Sequence, residues 1–102
     1  MSMSEEIYHY CKSIDFMKIG QAVEHGNWQA AINALQRLQK RASEIGYDVF
    51  DRNYTNLRQC LLHREQRAAK DALAVIIAKR VRILNNAYNS QNLQHLSDGL
   101  LS

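Results

Sequence analysis

Residues 27–46, NWQAAINALQRLQKRASEIG, decide the fold class of this chain. At 100° per residue, Trp28, Ala31, Ile32, Ala34, Leu35, Leu38, Ala42 and Ile45 form one continuous apolar side. Arg37, Lys40, Arg41 and Glu44 lie opposite, so the stretch reads as a helix facing a core. Both of its ends are written locally. Asn27 offers a side-chain oxygen to an orphan N–H of the first turn, and Gly46 can take the left-handed conformation that stops the last one. At the edge of the apolar face, Gln36, Gln39 and Ser43 form a neutral polar strip.

Toward the N-terminus, Ile7, Tyr8, Tyr10, Cys11, Ile14, Met17, Ile19, Ala22 and Val23 keep helical spacing, with a phase break around Ser13–Asp15. This predicts either one bent helix over about residues 4–25 or two helices with a joint there, the second capped by Ser13 or Asp15. Ser2 with Glu5 forms a capping-box pattern, and Ser4 offers an alternative start. His25-Gly26-Asn27 closes this element. Beyond Gly46, Asp48 is the expected N-cap of a helix carrying Phe50, Tyr54, Leu57, Cys60 and Leu61 and running to about His63. The polar run His63–Arg67 predicts a turn. A last helix follows from about Gln66 to Tyr88, so rich in apolar residues that they cover more than one stripe; it should be deeply buried or should also contact a partner. Residues 89–102, with Leu93, Leu96, Leu100 and Leu101, read as a weakly patterned tail or a short terminal helix.

The chain has 102 residues, enough for one domain with a single core. It contains no proline and only four glycines, and its common residues are helix formers. With short polar connections between helices, the expectation is an all-α, antiparallel up-down four-helix bundle with a short N-terminal helical segment, the whole spanning residues 1–88. A formal charge of +3 is too small to argue for nucleic acid on its own, and no aromatic residues interleave with the basic ones. No apolar run reaches the roughly 20 residues that span a bilayer. Cys11 and Cys60 lack metal-ligand spacing and, with no signal peptide ahead of them, read as reduced thiols in a cytoplasmic protein.

The run GNWQAAINALQRLQKRASEIGYDVF, followed by two further helices, resembles the histidine-containing phosphotransfer (HPt) domains of two-component phosphorelays. In that family a Gly-Asp/Asn-Trp-like turn opens the central helix, which carries Ala-His-x-Leu-Lys-Gly-x-Ala and ends in Leu-Gly. Aligned on the terminal glycine, Ile45-Gly46 stands on the Leu-Gly pair, Ala42 on the alanine and Leu38 on the leucine. The same alignment puts Gln36 where the phosphorylated histidine belongs, Gln39 on the lysine and Lys40 on the glycine. A glutamine amide is not a usable nucleophile near neutral pH, so the resemblance implies an HPt-like frame without its chemistry. The expectation is a non-enzymatic signalling or adaptor module of bacterial type, needing no cofactor. It would dock a response-regulator receiver domain or a histidine kinase through Gln36, Gln39, Lys40 and Ser43.

Two alternatives stand beside this. A phosphorelay protein would have to use His9, His25, His63 or His95, of which His25 lies nearest the central helix. A structural bundle would oligomerise through the apolar surface of the last helix and the leucines after it. Glu6 and His9 form a single Glu-x-x-His pair, half of what a di-iron bundle requires, and no metal site is expected. The basic residues Arg37, Lys40, Arg41, Arg67, Lys70, Lys79, Arg80 and Arg82 read as a solvated face, or as a surface for an acidic partner.

Overall fold

The computed structural model describes residues 4–101, with side chains placed through residue 87. Its elements are α1 (Glu5–Cys11), α2 (Asp15–Glu24), α3 (Trp28–Ile45), α4 (Asp51–Leu62) and α5 (Gln66–Leu101), with no strand among the described residues. Residues 4–25 therefore form two helices. Ser4 starts the first, its Oγ accepting from the Ile7 N–H at 3.2 Å; the alternative start at Ser2 lies outside the described residues. At the joint, Ser13 Oγ accepts from the Asp15 N–H at 3.2 Å, although Ile14 holds the N-cap position itself.

Three of the joints share one device. Gly26 and Gly46 adopt φ of 69° and 68°, and each is followed by a residue whose N–H reaches back five positions. Asn27 donates to the Ala22 carbonyl at 2.7 Å and Tyr47 to the Ala42 carbonyl at 2.9 Å. These are Schellman closures, in which a left-handed residue lets the chain satisfy the last carbonyls of the helix it leaves. The third uses Arg64, at φ 55°, with Glu65 donating to the Cys60 carbonyl at 3.1 Å. An arginine there meets the steric cost that glycine avoids.

Two boundaries differ from the sequence reading. Asp48 does not cap α4; Phe50 occupies that position without a side-chain cap, because its ring is fully buried and fixes where the helix begins. The Asp48 carbonyl instead accepts from the Asp51 N–H at 3.1 Å. The backbone of α5 also continues as helix past Tyr88 to Leu101. Asparagines lower helix propensity by only about 0.5 kcal/mol each and do not by themselves end a helix. The side chains of residues 88–101, including the expected leucine set, lie outside the described ones.

Packing follows the apolar faces. Among the described residues α2 packs on α3, α3 on α4, α4 on α5 and α5 on α2, while α1 lies against α3 and α5. The four longer helices thus form a ring of neighbours around one core. α3 contributes Ala31, Ala34, Leu35, Leu38 and Ala42, all buried as their phase requires. At the end of the core nearest α1, Tyr10, Phe16, Tyr47, Phe50 and Tyr54 form a contiguous aromatic cluster, mostly in edge or tilted contacts with centroids 5.5–6.4 Å apart. Edge-on geometry sets the positive ring edge against a negative face. The Tyr10 and Tyr54 hydroxyls meet inside it, one donating to the other. Both cysteines are free, Cys11 buried and Cys60 half-buried. No described helix is long and apolar enough to cross a membrane.

Replacing Arg64 with Gly should raise stability by about 0.5–1 kcal/mol in urea or thermal melts, whereas Gly46→Ala should lower it by about 1 kcal/mol. A Cβ at Gly46 meets nothing within 4 Å, so the second effect would be conformational and not steric. Burial pushes Tyr10 and Tyr47 up to about 12, and Tyr54 higher still. In the unfolded chain these phenols ionise near 10, so their contribution to stability is complete below about pH 10 and is lost as pH climbs toward 12. In a variant carrying Tyr8→Phe and Tyr88→Phe, which leaves these three phenols as the only ones, tyrosinate absorbance should therefore rise in one cooperative step together with loss of helical circular dichroism. A rise that preceded unfolding would contradict the burial of these hydroxyls.

Candidate partner-binding face

α3 presents its polar strip by helical phase alone. Gln36, Lys40 and Ser43 are exposed near the middle and end of the helix, and Gln39, one step closer to the core, is half-buried. Gln36, Gln39 and Ser43 follow at intervals of three and four, so the structure brings all four predicted residues onto one continuous edge of α3. Among the described residues no side-chain hydrogen bond or ion pair engages them. Their neighbours on the same helix are engaged: Gln29 donates to Asn33 at 2.9 Å, Arg37 pairs with Asp15 at 3.0 Å and Arg41 with Glu44 at 3.1 Å. The edge can therefore offer amides, a hydroxyl and an ammonium to a partner without breaking an internal contact.

The described histidines lie elsewhere. His9 is exposed in the last turn of α1, and His25 and His63 follow α2 and α4 as C-caps. His25 Nδ1 is 2.9 Å from the Gln21 carbonyl, which occupies one ring nitrogen. The described residues contain no group of three or more His, Cys, Asp or Glu side chains placed to hold a metal. Glu6 and His9 remain an isolated exposed pair.

The basic residues of α5 are not uniformly a solvated face, and here the sequence reading is corrected. Arg80 donates from Nε to the Cys11 carbonyl, an orphan acceptor at the end of α1, and its guanidinium lies 5.3 Å from the Phe16 ring centroid. Lys79 donates to the Val49 carbonyl at 2.7 Å and to Asn53 Oδ1 at 3.3 Å. Gln66 Nε2, at the start of the same helix, donates to the Val23 carbonyl at 2.9 Å. Lys70 pairs with Glu24 at 2.9 Å, and that hydrogen bond holds the Glu24 carboxyl below the usual carboxylate range.

A second feature was only half legible in sequence. Between α2 and α5 runs an open groove made of two adjoining hollows of about 430 and 450 Å³, both lined by Gly20, Glu24, Leu73 and Ile77. Met17 stands at one side, 62% exposed. The excess apolar surface of the last helix signalled one wall; the other depends on how α2 packs, which no local pattern reveals.

No family model, curated protein or solved structure matches this chain.

The helix-end contacts of α5 have a measurable consequence. Arg80→Met keeps the side-chain bulk but leaves the Cys11 carbonyl without its donor, and should cost about 1–3 kcal/mol in denaturant unfolding. Arg67→Met, at an exposed position, should stay within about 0.5 kcal/mol. Equal effects would remove the distinction between the two cations.

Proposed function

We propose that this chain is a non-catalytic, HPt-like antiparallel four-helix bundle that binds a receiver domain or a kinase of a two-component system without transferring phosphate. The observation that carries the reading is the placement of Gln36. It stands on the central helix at the position where the resemblance calls for the phosphoacceptor histidine, and it is exposed with no internal partner. An exposed residue in the middle of a core helix is accessible to a docking domain, and its rigid backbone limits the entropy lost on binding. The amide keeps the hydrogen-bonding reach of an imidazole while lacking its nucleophilicity. Lys40 and Ser43 extend the same edge toward Gly46, and the ring of neighbours formed by α2, α3, α4 and α5 supports the bundle part of the reading.

Such a module would act by occupancy, competing for a receiver or holding it near another component. Calorimetry of the full chain against receiver domains encoded in the same genome tests this. The expected result is saturable binding with no acid-labile phosphate appearing on the chain after mixing with a phosphorylated receiver. Gln36→Ala and Lys40→Glu should each weaken binding by about tenfold, the loss expected of a central contact. Unchanged affinity in both variants would reject this face, and transfer of label would reject the non-catalytic reading.

A further inference from the structure

The α2–α5 groove lies on a different part of the molecule from the Gln36 edge, and its construction suits a particular occupant. Its floor is made where Gly20 faces Leu73: a Cβ built on Gly20 would sit 3.4 Å from Leu73 Cδ2, so the two helices approach closely and leave a trough above the contact. Its walls are mostly apolar, with Met17 on α2 and Ala74, Ile77 and Ala78 on α5, and Gln21 and His25 stand at the α2 rim. Beyond the trough the apolar surface continues, Ile14 being 62% and Val81 43% exposed. A trough between two helices with an apolar floor is the shape into which a third helix lays its apolar ridge. Methionine at the lip can change rotamer to fit the ridge it meets.

Charge decides between occupants. The Lys70–Glu24 pair closes one end. On the flanks, Arg67 lies one turn before Lys70 and Arg82 one turn after Ala78, both exposed and outside any ion pair among the described residues. Asp71 is the opposing acid on the α5 flank. The surround is net basic, as is the whole chain at +3. A second copy packed trough to trough, as a two-fold dimer would be, would bring these cations against their own kind, which costs affinity and slows encounter. We infer that the α2–α5 groove is a docking site for an amphipathic helix of another protein, one whose apolar ridge is flanked by glutamate or aspartate.

The inference stands independently of the Gln36 edge, and two designed peptides test it. Each is about 20 residues long to hold a helix. They share a leucine ridge at intervals of three and four, and differ in having glutamate or lysine on the flanks. Titrated into the full chain labelled at methyl groups, the glutamate peptide should bind about tenfold tighter at low salt than the lysine peptide, with the preference shrinking as salt is added. Shifts should centre on Met17, Leu73 and Ile77. Met17→Glu and Ala74→Glu, both at exposed positions that the fold tolerates, should each abolish that binding while leaving the circular dichroism unchanged. Equal affinity for the two peptides, shifts centred on α3, or binding that survives both variants would overturn the inference. So would concentration-dependent dimerisation that Met17→Glu abolishes, since the trough would then belong to a second copy.

Discussion

Helix ends carry backbone carbonyls with no partner inside their own helix, and this constraint organises the molecule. In α2 the last carbonyls are each answered: Gln21 by the His25 N–H, Ala22 by Asn27, Val23 by Gly26 and Gln66, and Glu24 by Gln66 at 3.4 Å. The end of α1 is answered by Arg80, and the segment leading into α4 by Lys79. Thus α5 contributes more than an apolar stripe. Its polar side chains close off other elements at three separate places, and those contacts set its height and rotation in the ring.

Apolar burial alone would fix this position poorly. Aliphatic faces slide over one another at modest cost, whereas a carbonyl that loses its donor in a half-buried place costs about 1–3 kcal/mol. Gln66 and Lys79 are separated by thirteen positions, or about 20 Å along the helix axis. Shifting α5 by one turn would break both contacts together with that of Arg80. The aromatic cluster adds a second constraint near α1, where Phe50 sits between Tyr54 and Phe16 and so fixes the start of α4.

How far all this was legible follows from the distance between cause and effect along the chain. The ends of α3 were readable because Asn27 and Gly46 act on groups three to five residues away. The polar edge of Gln36, Gln39, Lys40 and Ser43 was readable because helical phase is local. The start of α4 was not, since burial of the Phe50 ring against Phe16, from a distant part of the chain, overrides the capping preference of Asp48. Arg64 at positive φ broke the rule that such positions are glycine or asparagine. The targets of Lys79 and Arg80 lie 30 and 69 residues away, so no spacing rule distinguishes them from Arg67 or Arg82. The groove was readable on α5 as surplus apolar surface and unreadable on α2, where Met17 and Gly20 look like ordinary members of an amphipathic helix.

Because α5 supplies the donors for elements that precede it, the order of synthesis has a consequence. A chain emerging from the ribosome exposes α1 to α4 before any of Gln66, Lys79 or Arg80 is available. During that interval the faces that will meet α5 remain open, and the carbonyls of Cys11 and Val49 can turn only to water. The early helices can flicker into shape, but closure of the ring waits for α5. Closure of the ring is therefore completed by α5, and the nascent segment from α1 to α4 is the species that most needs protection from its surroundings.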